Sequence, residues 1–125
     1  MNNILITSAG KRVVLVQIFQ RTLQEKGLEA KVYATDMRPG MAPAGIVSDG
    51  CIPVPRCTAD NYIDCLLAIC RDRQIGVIIP TIDTELLVLA ENHQRFMEQG
   101  VRLAVPDKEF IRICRDKRLT KDFLI

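Results

Sequence analysis

The loop between the first two apolar segments holds the first residues that could do chemistry. The apolar residues 3–6 are followed by a short polar loop, and apolar residues recur at helical spacing from Val13 onward. A strand, a tight turn and a helix in this order bring the free N–H groups and the positive dipole end of the helix to the turn. Lys11 and Arg12 add formal positive charge. The loop is therefore predicted to bind a phosphate or a carboxylate.

The same loop does not carry a dinucleotide fingerprint. That motif requires G-x-G-x-x-G, and here Gly10 is the only glycine of the loop. A nicotinamide-dependent oxidoreductase is therefore disfavoured. The small residues Ser8, Ala9 and Gly10 have a second interpretation, in which they only allow the first strand to pack closely against the first helix. The residues by themselves leave both interpretations open.

Three acidic residues follow predicted strands. Asp36 ends the second apolar segment, and Asp83 and Glu85 come shortly after the apolar residues 77–79. Because the carboxyl ends of parallel strands meet at one edge of a sheet, these acids are candidates for contact with whatever the first loop binds. Each also has a structural alternative. Asp36 could serve turn formation before Pro39, and the other two could cap a helix and complement its dipole.

The elements that must position these residues alternate along the chain. The predicted order is strand, helix, strand, extended segment, helix, strand, helix, strand, helix. Gly27 is predicted to end the first helix and Thr58 to cap the second, while one helix is expected from Asp83 through Phe96. The prolines in residues 51–55 favour an edge strand, and the β-branched residues 77–79 favour a central one.

This order predicts an α/β fold, a Rossmann-like doubly wound sheet of four or five mostly parallel strands. The 125 residues suffice for one domain, and a net charge of +2 with few aromatic residues argues against a nucleic-acid surface. No stretch approaches the roughly 20 apolar residues of a membrane span, and no signal peptide is evident, so a cytoplasmic protein is expected.

The cysteines and the histidine predict no metal site and no disulfide framework. The cysteines are odd in number and form no C-x-x-C pair, so most are expected to be small apolar core residues. His93, the only histidine, is expected on the surface. The cysteines are Cys51, Cys57, Cys65, Cys70 and Cys114.

The last residues suggest that the protein continues. A helical pattern restarts at Leu119, and the chain stops at Ile125 without a cap or a polar tail. These 125 residues are therefore expected to be the N-terminal part of a longer protein. The apolar residues at this end also leave a homodimer open.

Four segments carry a family resemblance that spans essentially the whole chain. They are NILITSAGKR at residues 3–12, VYATD at 32–36, IPTIDTEL with AEN at 79–92, and CRDK at 114–117. Together they resemble the N-terminal (pre-ATP-grasp) domain of ATP-grasp ligases, above all carbamoyl-phosphate-synthase large-subunit-like proteins. The resemblance implies a Rossmann-like domain at residues 1–115. Residues 116–125 would then begin the connection to an ATP-grasp domain C-terminal to Ile125.

The resemblance also implies a reaction. ATP phosphorylates a carboxylate, and an amine displaces phosphate from the acylphosphate, with Mg²⁺ neutralising charge. Lys117 would approach the ATP phosphates, although a surface lysine is the alternative. The carried-over substrate residues are Ser8, Gly10, Lys11 and Arg12 beside the carboxylate, and Asp36, Asp83 and Glu85 beside the amine. The magnesium ligands are expected after Ile125, so no catalytic residue and no tightly bound cofactor are assigned to this chain.

Two functions follow from these observations. The first is the substrate-side domain of an ATP-dependent carboxylate-amine, or carbamoyl-phosphate-synthase-like, ligase that is inactive without its remaining domains. The second is a stand-alone Rossmann-like module that binds a small anionic ligand or nucleotide through the first loop.

Overall fold

The chain folds into a parallel β-sheet with helices on both faces. The structure is a computed structural model and describes residues 3–10 and 12–105. Within these residues the sheet has five strands in the order β3-β2-β1-β4-β5, and all its pairs are parallel. The strands are β1 (Asn3–Thr7), β2 (Val32–Asp36), β3 (Cys51–Pro53), β4 (Ile75–Pro80) and β5 (Arg102–Leu103). The predicted doubly wound α/β fold is confirmed.

The helices follow the predicted order along the chain, with an additional short helix between β2 and β3, and the last predicted helix lies outside the described residues. They are α1 (Val13–Glu25), α2 (Pro43–Val47), α3 (Tyr62–Asp72), α4 (Asp83–Glu91) and α5 (His93–Glu98), with a 3₁₀ turn at Pro39–Met41 before α2. None of the helices in the described ranges is long and apolar enough to cross a membrane. The strand order reverses direction between β1 and β4, which is where ligands bind in open parallel sheets.

β1 lies in the middle of the sheet and is paired on both sides. Leu5 is in register with Tyr33 of β2 and with Ile78 of β4, and it has no exposed surface. A strand buried on both faces favours apolar residues, which explains the run of Ile and Leu at residues 4–6. β3, with Pro53 at its end, lies at the edge of the sheet as predicted, and residues 77–79 lie in the interior strand β4.

The two faces of the sheet carry separate hydrophobic cores. Ile4 and Ile6 point to the face covered by α1 and α2, with Val16 as the fully buried residue of α1. Leu5 and Ile78 point to the opposite face, where α3, α4 and α5 pack. The alternation of side chains along each strand thus divides the molecule into three layers.

The helix ends differ from the sequence prediction in two places. Gly27 follows α1 with φ of +68°, and the Leu28 N–H donates to the Leu23 carbonyl over 2.9 Å, as expected for a glycine C-terminal cap. Thr58, however, does not cap α3, which begins at Tyr62. The chain before Tyr62 forms turns, in which the Ala59 N–H donates to the Arg56 carbonyl over 2.9 Å. These turns delay the start of the helix.

The single helix predicted after β4 is in fact two. α4 ends at Glu91 and α5 begins at His93. The Asn92 side-chain amide donates to the Val88 carbonyl over 2.8 Å, and its backbone N–H donates to the Leu89 carbonyl over 3.1 Å. Asparagine competes for backbone partners in this way and so interrupts the helix.

The described cysteines lie in or against the hydrophobic core, and His93 lies on the surface, as the sequence predicts for these side chains. Cys70 is fully buried in the core, and burial raises the pKa of its thiol to about 12. Cys51, Cys57 and Cys65 are partly buried, Cys114 lies outside the described residues, and His93 is exposed.

Gly45 allows α2 to pack directly on β3. A Cβ atom at this position would lie 2.5 Å from Cys51 Sγ and 2.8 Å from Cys51 Cβ, and Gly45 is buried. A larger residue would therefore push the helix away from the strand. At Gly40, which is exposed, an added Cβ would meet nothing within 4 Å.

We expect Gly45→Ala to destabilise the domain by about 1–3 kcal/mol, since an extra methyl group overpacks this contact. Gly40→Ala is the matched control and should be neutral, or stabilising by about 0.4–1 kcal/mol, because it only restricts the unfolded chain. Urea denaturation of both variants measures the difference. Equal unfolding midpoints for the two variants would contradict the close packing of α2 on β3.

Candidate functional site

The first loop turns sharply at the carboxyl end of β1. Ser8 and Gly10 both have φ of +51°, in the left-handed region, and the Arg12 N–H donates to the Ala9 carbonyl over 2.8 Å. Glycine adopts this conformation freely, whereas Ser8 carries a Cβ that disfavours it. The turn therefore holds strain at a residue that the sequence had marked as a candidate for substrate binding.

Contacts from three neighbouring segments hold the loop in place. The Thr81 hydroxyl lies 2.9 Å from the Thr7 carbonyl oxygen and 2.7 Å from the Ser8 carbonyl oxygen. The Ala9 N–H donates to the Thr35 carbonyl over 3.3 Å, and the Ala44 N–H donates to the Gly10 carbonyl over 3.0 Å. The loop is thus bonded to β2, α2 and the segment after β4.

The start of α1 adjoins this loop. Arg12 occupies the cap position, and among the described residues no side chain caps the helix and no acidic residue lies in its first turn. Free first-turn N–H groups favour an anion. The Arg12 guanidinium donates through Nη2 to the Thr81 carbonyl over 3.2 Å, and its side chain is exposed. Lys11 lies outside the described residues, so its place beside the anion stays a prediction.

A cavity of about 310 Å³ opens at the carboxyl ends of the strands. It brings together Ser8 and Asp36, which the sequence placed on different loops. Most of its wall comes from the segment after β3 and from the start of α3. The lining residues are Ser8, Asp36, Met37, Val54, Pro55, Arg56, Cys57, Thr58, Tyr62, Ile82 and Thr84.

Sequence reasoning missed the wall formed by Arg56, Cys57 and Tyr62. Residues 54–58 follow the edge strand β3 and carry no periodic pattern, so nothing in the sequence assigned them to a ligand site. The available signal was positional. They follow the carboxyl end of β3, and every loop at that edge of a parallel sheet faces the same crevice.

Two opposite charges line the cavity. Among the described residues no ion pair joins Asp36 to Arg56, whose side chain is exposed. One carboxylate oxygen of Asp36, Oδ1, accepts the Arg38 N–H over 2.9 Å, which is the turn role that the sequence left open. Burial raises the pKa of the Cys51 thiol, and the nearby charge of Asp36 raises it further. The cavity thus offers a carboxylate, a guanidinium and an apolar wall to one ligand.

The structure separates the other two acids from the cavity wall. Asp83 is exposed in the first turn of α4 and caps nothing, because the cap position is Ile82. Glu85, in the same turn, has no exposed surface. Both acids complement the helix dipole, but Glu85 lies inside the domain.

Glu85 is the acceptor of a buried hydrogen-bond cluster. The Thr7 hydroxyl donates to Oε2 over 3.1 Å, and the Tyr62 hydroxyl donates to Oε1. Burial raises the pKa of Tyr62 far above its usual value, and the adjacent Glu85 charge raises it further. Tyr62 therefore remains a donor at all ordinary pH values. The carboxylate joins β1, α3 and α4 directly behind the cavity wall.

We expect Glu85→Leu to destabilise the domain by about 2–6 kcal/mol, because two buried hydroxyl groups lose their acceptor and each costs about 1–3 kcal/mol. Glu85→Gln keeps an oxygen acceptor for Tyr62 and should cost much less. Urea denaturation measures both variants.

The matched control is Asp83→Ala in the same helical turn, with an expected cost of about 0.5 kcal/mol from the helix dipole alone. An Asp83→Ala effect as large as that of Glu85→Leu would show that the dipole, rather than the buried cluster, accounts for the result.

Comparisons with known proteins identify a domain family and, separately, a shared fold. A family model described as PylC-like, N-terminal domain, matches residues 4–104. A search of curated proteins found no match. Several solved structures share the fold.

Three of these structures illustrate the likeness. The biotin carboxylase domain of a single-chain bacterial carboxylase has a TM-score of 0.63 and 19% identity, over 98% of this chain and 28% of that chain. The Kluyveromyces lactis urea carboxylase has a TM-score of 0.65 and 19% identity, over 97% of this chain and 10% of that chain. A multifunctional pyruvate carboxylase from Rhizobium etli has a TM-score of 0.61 and 16% identity, over 98% of this chain and 12% of that chain.

These identities show a shared fold, and this chain spans little more than a quarter of the first of those proteins. The family model identifies the family of this chain, because its match covers most of the residues, from the first strand through the end of the sheet. The strand order, the first loop and the segment after β4 all lie within it. The chain belongs to the PylC-like N-terminal domain family and is an N-terminal, pre-ATP-grasp type of domain.

Proposed function

We propose that this chain is the substrate-side domain of an ATP-dependent ligase that activates a carboxylate as an acylphosphate and passes the acyl group to an amine. The observation that carries the proposal is the cavity at the carboxyl ends of the strands, where Ser8 and Asp36 meet within a PylC-like domain. Without the other domains of the ligase, this domain is proposed to bind substrates without converting them.

The carboxylate is proposed to bind on the α1 side of the site. The uncapped first turn of α1 and the Arg12 guanidinium supply hydrogen-bond donors and positive charge. We place Lys11 and the backbone of Gly10 beside the same group. A substrate carboxylate at this position would exchange hydrogen bonds with water for hydrogen bonds from N–H donors that the fold already holds in place.

The amine is proposed to bind at Asp36. Its carboxylate lines the cavity and uses only Oδ1 for the turn, so Oδ2 can accept a hydrogen bond from an ammonium or amine group. When the neutral amine nitrogen attacks the acylphosphate carbon, the new C–N bond forms, phosphate leaves with the electron pair of the broken C–O bond, and the nitrogen passes a proton to the departing phosphate. Asp36 is suited to hold the amine during this step. Glu85 supports the wall through Tyr62, and Asp83 lies outside the cavity.

ATP and magnesium are proposed to bind mainly to the part of the protein C-terminal to Ile125, with Lys117 near the phosphates. Lys117 lies outside the described residues. Within residues 3–10 and 12–105 no group of three or more His, Cys, Asp or Glu side chains is arranged to hold a metal ion. When bound, the metal would neutralise charge on the phosphoryl group being transferred.

The test uses the protein extended through its natural reading frame beyond Ile125. With ATP, a panel of carboxylates and hydroxylamine as the nucleophile, an acylphosphate is trapped as a coloured hydroxamate while ADP is released. We expect hydroxamate with at least one carboxylate. We expect Lys117→Ala to lower its formation roughly 100-fold, the scale of losing one charged group that stabilises a transition state.

Lys31→Ala is the matched control, because Lys31 is exposed and precedes β2 at the opposite end of the sheet. It should leave hydroxamate formation unchanged. Full activity in the Lys117→Ala variant would remove that residue from the ATP site. Tight binding of a nucleotide by the 125-residue chain, abolished by Gly10→Val at its left-handed φ, would instead favour the stand-alone module.

A further inference from the structure

We propose that Thr81 is a positioning residue for the cavity: its hydroxyl group holds Ser8 in the left-handed conformation and so fixes the part of the wall that Ser8 forms. The identity of the ligand that binds against this wall rests on the proposed function. The role of Thr81 itself rests on the geometry of the two loops.

Ser8 needs external support for its conformation. Its φ of +51° lies in a region that residues with a Cβ rarely adopt, and Gln74 is the only other such non-glycine residue among those described. Strained backbone of this kind persists only where surrounding contacts over-determine it, and it tends to occur at functional sites. Ser8 lines the cavity, so the strain lies at the site rather than in a remote turn.

The Thr81 hydroxyl supplies that support in a specific way. It lies 2.9 Å from the Thr7 carbonyl oxygen and 2.7 Å from the Ser8 carbonyl oxygen, so its single proton is shared between them. These two carbonyls belong to the two peptide planes on either side of the Ser8 Cα atom. One hydroxyl group therefore restrains both backbone dihedral angles of Ser8.

Thr81 is itself firmly placed. It follows the last residue of β4, Pro80, which is in register with Thr7 of β1. Its carbonyl accepts a hydrogen bond from Arg12 Nη2 over 3.2 Å, which ties the end of the first loop to the same point. Backbone hydrogen bonds already join β1 to β4 up to Thr7 and Pro80. The Thr81 hydroxyl therefore adds a restraint on the loop that follows β1.

Among the described residues, those that line the cavity do not include Thr81. Its hydroxyl group therefore acts on the cavity wall indirectly, through the backbone of Ser8 that it contacts. Removing the hydroxyl group should change the shape of the wall and leave the charges of Asp36 and Arg56 unchanged.

The experiment compares isotope-labelled 125-residue chains by NMR spectroscopy. Thr81→Val keeps the shape of the side chain but lacks the donor, whereas Thr81→Ser keeps the hydroxyl. Thr22→Val is the matched control, since it removes a threonine hydroxyl that donates over 2.8 Å to the Ile18 carbonyl, far from the site. The readouts are the Cα and Cβ chemical shifts and the HN–Hα coupling of Ser8, which report its φ.

We expect the Ser8 signals of the wild-type chain to indicate a left-handed conformation. Thr81→Val should move the Cα shift toward the extended range, Thr81→Ser should restore it, and Thr22→Val should leave it unchanged. An unaltered Ser8 in Thr81→Val, or a failure of serine to restore it, would overturn the proposal.

A second variant covers the case in which Thr81→Val does not fold. Glycine adopts a positive φ without strain, so Ser8→Gly combined with Thr81→Val should regain a folded spectrum. A double variant as unfolded as Thr81→Val alone would overturn the proposal. If the hydroxamate assay fails but Ser8 responds as expected, the proposed ligase function is contradicted and the role of Thr81 stands.

Discussion

The double pairing of β1 constrains most of this structure. Because β1 hydrogen-bonds to β2 on one side and β4 on the other while helices cover both faces of the sheet, its central residues Ile4, Leu5 and Ile6 are buried and apolar. Polar and turn-forming residues can then follow only where the strand ends. At that end the strand order reverses, so the segments after β1, β2, β3 and β4 converge on one crevice. The position of the cavity follows from this constraint.

A buried carboxylate reinforces the same edge. Glu85 accepts hydrogen bonds from Thr7 at the end of β1 and from Tyr62 at the start of α3. A charge this deep is tolerated because two hydroxyl groups and the first turn of α4 solvate it. The cluster links three elements that are far apart in the chain. Tyr62 of this cluster also lines the cavity, together with Asp36, Arg56 and apolar side chains.

Some site residues could be recognised from the few residues around them in the sequence, whereas the position of others depends on tertiary packing. Ser8 and Gly10 were marked by a strand-to-helix transition within a few residues, and the structure places both in a tight turn. Asp36 was marked by the end of a strand and lies on the cavity. Glu85 looked the same as Asp83 in sequence, because both are acids in the first turn of one helix. Their difference in burial depends on which face of α4 meets the sheet.

The sequence by itself determined the fold class, the order of the elements, the edge position of β3 and the residues of the first loop. These features depend on short-range patterns: apolar runs, β-branched residues, prolines and glycines. Only the tertiary structure decided that residues 54–58 form a wall of the cavity, that Glu85 is internal and that Thr81 supports Ser8. Each of these depends on contacts between residues far apart in the chain, 73 positions in the case of Thr81 and Ser8. The register of β1 against β4 creates that contact, and no local pattern encodes it.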